Sequence, residues 1–193
     1  EDYVLNVDCE HLQSHSIKLY TRLINFPSEM IPFFDEVATQ FYKEIIHDPH
    51  STAIIQVRPI NLKTTSLQRN LGPDDIDKLI QVEGIIIRCS SVVPEIKDAH
   101  FRCVNCNHRE LAPVFRQRIE QPSECKNCKA KGSFTIVHNM STFGDKQHVK
   151  MQENQENIPD GETPHHIQLV AFEEHVDYVR PGDRVQVVGI FRA

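Results

Sequence analysis

The residues able to do chemistry are Cys103-Val-Asn-Cys106 and Cys125-Lys-Asn-Cys128, two Cys-x-x-Cys pairs with eighteen residues between them. Each pair forms a tight turn that turns two thiols to one side, and the intervening arm folds back to bring up the second pair. That is the donor set and spacing of a tetrahedral four-cysteine zinc site. Four thiolates leave no position for water, so the spacing predicts a structural zinc ribbon and not a hydrolytic centre. The competing readings are a redox pair, which needs a βαβ setting that these residues lack, and two incidental thiol pairs or two disulfides. His100 and His108 flank the first pair and are expected at the surface or beside the ligands.

The remaining 193-residue chain must position this knuckle. It is 25% charged and 39% hydrophobic, ordinary for a globular protein. No apolar run approaches the ~20 residues that span a bilayer, so no membrane partner is expected. Glu1-Asp2-Tyr3 resembles neither a signal peptide nor a natural start, which predicts a segment of a longer protein. Cys9 and Cys89 remain as free thiols, consistent with a reducing compartment.

The net charge is −6, but it is unevenly distributed. Residues 97–150 carry ten Lys or Arg against five Asp or Glu, whereas residues 1–78 and 151–193 are each five charges acidic. A zinc bound by four thiolates removes about two of the central positive charges. The middle is still where a polyanion is least repelled, though ordinary solvated lysines would give the same count.

Met30, Phe34, Val37, Phe41 and Ile45 recur at three- and four-residue steps and predict a helix with a core-facing stripe. Pro27-Ser28-Glu29 supplies its start, and Pro49 lies beyond its end. Ile17, Leu19, Tyr20, Leu23 and Ile24 predict a partner helix across the Phe26-Pro27 break. After a β-prone stretch from Ala53 to Ile60, Gly72-Pro73-Asp74-Asp75 makes a turn into one helical turn ending near Leu79. From Leu79 the chain becomes strand-like, with Gly84 predicting a bulge or sharp coil. Further strands are expected at Glu95–Val104, Ser133–Val137, Gln147–Met151, Ile167–Phe172 and Arg184–Arg192. The polar loop 154–164 and the Pro181-Gly182-Asp183 turn separate the last three. The fold class is α+β and multidomain: a helical bundle over 1–76, an OB-type β-barrel over 77–101 and 133–193, and a zinc ribbon over 102–132 inserted between barrel strands. Such barrels commonly hold single strands on one face.

Several strings resemble the N-terminal region of MCM replicative helicases. They are Arg69-Asn70-Leu71 with Asp75-Ile76-Asp77-Lys78-Leu79-Ile80, Gly84-Ile85-Ile86-Ile87-Arg88, Gln152-Glu153, Pro159-Asp160-Gly161-Glu162-Thr163-Pro164-His165, and Val176-Asp177 running into Pro181-Gly182-Asp183-Arg184-Val185. Asp145-Lys146-Gln147, Lys150-Met151-Gln152-Glu153 and Asn6-Val7-Asp8-Cys9-Glu10-His11 are most similar to one branch, the fourth subunit of the eukaryotic heterohexamer. The resemblance implies a nuclear subunit of a ring around single- and double-stranded DNA, with other MCM subunits as partners. It also implies head-to-head double hexamers in which zinc ribbons meet at the junction. ATP belongs to a C-terminal AAA+ domain of the family. No Gly-x-x-x-x-Gly-Lys-Ser/Thr string occurs here, so this segment is not expected to hydrolyse ATP alone. The chain ends before the basic hairpin expected next.

Arg88 and Lys150 match the family's single-strand-binding motif on the barrel face. An arginine and a lysine on neighbouring strands can hold successive phosphates through salt-sensitive, sequence-independent contacts. Lys146 and Arg102 are further candidates from charge and proximity. Phe101 and Phe143 offer stacking faces, with core packing the expected fate of both. The alternative function is a purely architectural protein–protein module.

Overall fold

The computed structural model describes residues 2–46, 54–115, 118–119 and 121–192. In chain order the elements are β1 (Asp2–Asp8), α1 (Cys9–His15), α2 (Ile17–Asn25), α3 (Pro27–Ile46), β2 (Ile54–Ile60), β3 (Thr65–Ser66), β4 (Leu79–Cys89) and β5 (Val93–Cys103). They continue with β6 (Arg109–Phe115), β7 (Arg118–Ile119), β8 (Phe134–Ile136), β9 (Thr142–Gln152), β10 (His166–Phe172) and β11 (Arg184–Ile190). Pro49 and Ala53, which figured in the helix end and the β-prone stretch, lie outside the described residues. The chain divides into two compact units.

The first unit comprises residues 1–85, 151–167 and 182–193. Its helices start where local chemistry satisfies their free amides. Asp8 Oδ1 accepts the Glu10 amide at 2.8 Å, and that bond holds the Asp8 carboxyl below its ordinary 3.8. Ser16 ends α1 by donating its amide to Leu12 O and begins α2 by accepting the Leu19 amide on Oγ. α3 opens on Pro27, whose fixed φ suits a first helical position. Ser28 therefore lies inside the helix and accepts from Arg192 Nη2 at 3.2 Å instead of capping.

The core-facing stripe of α3 differs from the periodicity read in the sequence. Phe41 and Ile45 are 61% and 75% exposed. The face that meets the unit is turned toward β2: Asp35 Oδ1 accepts the Val57 amide at 2.6 Å and Thr39 Oγ1 the Ile55 amide at 3.1 Å. One turn apart, these two polar groups fix the helix rotation, so Met30, Ile31 and Phe34 pack on the core while Phe41 turns outward. β2 also pairs in parallel with β1, from Asp2↔Ile54 to Asp8↔Ile60, a two-stranded sheet added to the expected helices. The core is Cys9, Tyr20, Leu23, Leu62 and Leu79. Full burial of a leucine such as Leu23 contributes about 1.5–3 kcal/mol.

β4 pairs antiparallel with β11 without interruption, and Gly84 faces Val185 within that register. The glycine is not bulged in the β11 register, and it serves close packing. A Cβ at Gly84 would run into the backbone oxygen of Gln152 and lie 2.7 Å from Gln68 Nε2 and 2.8 Å from Met151 Cγ, a close approach of backbone that a residue without a side chain allows. Beside it, Gln81 accepts the Leu62 amide and donates to Thr65 Oγ1, which ties the helical segment's exit to β4.

The second unit comprises residues 86–150 and 168–181. β5 is its central strand, antiparallel to β6, β8 and β9. Alternation along β5 places Ala99, Phe101 and Cys103 inward, where they meet Ala112, Cys125 and Phe134. Phe101 and Phe134 pack edge to face, with ring centroids 6.4 Å apart. Phe101 has the core position expected of it; Phe143 is 48% exposed instead. Strand β5 enters the first cysteine pair directly, as expected.

Candidate functional site

The two cysteine turns have one geometry. In the first, the Cys103 amide donates to His108 O at 2.8 Å, and the Asn107 amide donates back to Cys103 O at 3.0 Å. In the second, the Cys125 amide donates to Ala130 O at 3.1 Å, and the Lys129 amide returns to Cys125 O at 2.8 Å. The residue four places after each leading cysteine takes a left-handed backbone, Asn107 at φ 56° and Lys129 at φ 54°. That reversal brings both thiols of a pair to one side.

All four Sγ atoms lie within 4.8 Å of one another. Cys103 and Cys128 are 3.5 Å apart, as are Cys106 and Cys125, far beyond a disulfide bond. Two sulfurs bound at about 2.3 Å to one tetrahedral ion sit about 3.8 Å apart, so this cluster has the dimensions to hold a metal ion. The sulfurs compete for charge. The Ser133 hydroxyl, 3.2 Å from Cys103 Sγ, together with backbone amides, draws the Cys103 thiol down to about 6. The His108 amide lowers Cys106. The Ala130 amide favours a Cys128 thiolate, but burial and the three neighbouring thiols outweigh it and push Cys128 up to about 12. A cation among the four sulfurs would offset that competition and let all four ionise. The imidazoles of His100 and His108 are outside the cluster; the His108 contribution is its backbone. Ser133 was missed in the sequence, and no spacing rule marks it.

The four cationic candidates separate into two kinds. Arg88 and Lys150 are exposed, and neither has an ion pair among the described residues. The Ser90 amide donates to His148 O at 2.8 Å and Ser90 Oγ accepts the His148 amide at 3.0 Å. This tie joins the end of β4 to β9 two residues from Arg88 and two from Lys150. Lys146 is committed elsewhere: its ammonium is 3.0 Å from Glu95 and 5.8 Å from the centre of the Phe172 ring, with 13% of the side chain exposed. Arg102 lies on β5, exposed and remote in sequence from the β9 candidates. Its cross-strand partner is Arg109, which the sequence reading did not single out. The signal was present, because a turn that pairs Cys103 with His108 pairs 102 with 109.

Residues 1–82 match the MCM N-terminal domain and residues 66–193 the MCM OB domain. The chain belongs to the MCM family. It is similar to DNA replication licensing factor mcm4 of Xenopus tropicalis, 44% identical over 189 residues, which are 98% of this chain and 22% of that protein. The Drosophila melanogaster DNA replication licensing factor MCM4 is 42% identical over 193 residues, again 22% of its length. The Schizosaccharomyces pombe mcm2 protein is 30% identical over 193 residues, 97% of this chain and 23% of that protein. The chain thus spans about a fifth of the length of the curated relatives it matches.

The MCM region also contains a buried ion pair that the family strings quoted without relating them. Arg69 donates through Nε and Nη2 to both Glu153 oxygens at 2.9 Å and through Nη1 to Glu162 at 2.7 Å. The Glu153 amide in turn donates to His165 O at 3.1 Å, so the 153–165 loop is fastened at both ends.

Proposed function

We propose that this chain is the DNA-guiding and ring-organising part of an MCM-type replicative helicase subunit, working in the nucleus with other MCM subunits in a heterohexamer and a head-to-head double hexamer. The observation that carries this reading is the pair of unneutralised cations Arg88, two residues before Ser90, and Lys150, two residues after His148, with Ser90 and His148 hydrogen-bonded to each other. Two exposed cations so placed suit phosphates of a single strand during loading and origin melting. On this reading the helical part (1–76), the OB part (77–101 and 133–193) and the ribbon (102–132) divide the work, and duplex DNA passes through the ring. ATP is used by the C-terminal domain of the whole subunit.

Within the same reading the metal is zinc, held by Cys103, Cys106, Cys125 and Cys128. It supplies a rigid crosslink with no open position, which suits a ribbon that presses on its counterpart across the hexamer junction. The engagement of Lys146 by Glu95 favours the alternative, an architectural module without DNA contact, because it removes one cation from the DNA set.

Anisotropy of a labelled single-stranded oligonucleotide separates the two. Binding that is lost in a folded Arg88→Ala/Lys150→Ala variant supports the DNA-guiding reading. Binding that is absent in wild type at low salt leaves the architectural one.

A further inference from the structure

Arg102 and Arg109 are directly opposite each other on β5 and β6. Cross-strand partners share a face, with Cβ atoms about 4.5–5.5 Å apart, and like charges placed so repel. The residues flanking Arg102, Phe101 and Cys103, point into the buried cluster, so Arg102 and its cross-strand partner stand on the solvent face, and both are exposed. Neither has a carboxylate within ion-pair distance among the described residues. Of the acids on the same two strands, Glu110 pairs with Lys126, and Asp98 accepts from Thr142 Oγ1. On the other flank of Arg102 lies Thr135 of β8, whose hydroxyl donates to Arg102 O at 3.2 Å. The strand is therefore hydrogen-bonded on both sides, and the arginine is carried on a three-stranded sheet anchored by the cysteine cluster.

We propose that Arg102 and Arg109 form a phosphate-binding clamp on the ribbon sheet, separate from the Arg88–Lys150 face. A guanidinium presents a planar fork that matches phosphate oxygens, and two forks side by side can share one phosphate. A bound dianion or phosphodiester turns the cross-strand repulsion into attraction. The phosphate can belong to a nucleic-acid backbone or be free in solution; the clamp chemistry is the same. Only the nucleic-acid source rests on the DNA-guiding reading above.

The test is nitrogen-15 NMR of the arginine Nε–Hε groups in the metal-loaded chain, with inorganic phosphate, a single-stranded oligonucleotide and polyglutamate as probes. The Arg102 and Arg109 signals are expected to move together along one saturating curve with phosphate, and Arg109→Gln is expected to abolish the response of Arg102. Movement with the oligonucleotide as well, retained in an Arg88→Ala/Lys150→Ala background, assigns the clamp to a nucleic-acid backbone. Movement with phosphate alone assigns it to a free phosphate. Still signals, an Arg102 response unchanged by Arg109→Gln, or an equal response to polyglutamate would overturn the proposal. If the DNA-guiding reading fails, oligonucleotide affinity is unchanged by the Arg88 and Lys150 substitutions, and the phosphate response still reports on the clamp by itself.

Discussion

Arg69 grips both carboxylate oxygens of Glu153 at 2.9 Å across 84 residues of sequence, and the Glu153 side chain is 1% exposed. A buried carboxylate is tolerable only with such a partner, and the Arg69 guanidinium holds Glu153 below its ordinary 4.5. Because the folded value is depressed, the stabilisation is complete above pH 4.5 and is lost as pH falls through the folded value. Arg69→Ala, which strands the carboxylate, should lower Tm by roughly 5–10 °C at pH 7. Thermal melts from pH 7 to pH 3 should show a steeper acid loss for wild type than for Glu153→Gln.

The cysteine cluster gives a second expectation. Cys103→Ala should bring metal content well below one equivalent and expose residues 104–133 to protease, while the helices of the first unit keep their far-ultraviolet signal. Chelation of wild type should do the same, since the ribbon's inward side chains pack around Cys103 and Cys125. Full metal stoichiometry in the variant, with wild-type protease resistance, would refute the four-cysteine assignment.

Lys146 and Lys150 were indistinguishable as candidates by charge, and the structure separates them. With its ammonium held by Glu95 and set against Phe172, Lys146 has little to offer a phosphate. Lys146→Met should change oligonucleotide affinity by less than about twofold, whereas Lys150→Met should weaken it roughly fivefold. Paired titrations at one salt concentration measure both.

This contrast marks what the sequence could reveal. The cysteine site was legible because two ligands at i and i+3 fix local turn geometry by themselves. Helices α2 and α3 were legible for the same local reason. The rotation of α3 was not, since it is set by Asp35 and Thr39 reaching amides of β2 some 16 to 22 residues away. Nor was β1, whose parallel partner β2 is 52 positions distant, Asp2 facing Ile54. The Lys146–Glu95 pair likewise spans 51 residues. Gly84 was noticed for its backbone freedom, but its use is a close approach by the Gln152 backbone, with Gln68 and Met151 beside it, that only the packed fold creates.

The most direct measurement is the salt dependence of single-strand binding, taken as the slope of log K against log salt for wild type and for Arg88→Ala/Lys150→Ala. Each phosphate contact on a single strand contributes about 0.7 to that slope. The account predicts that the variant's slope is shallower by about 1.4 and its low-salt affinity weaker. Equal slopes and affinities in the two proteins would contradict it and move any DNA contact off this face.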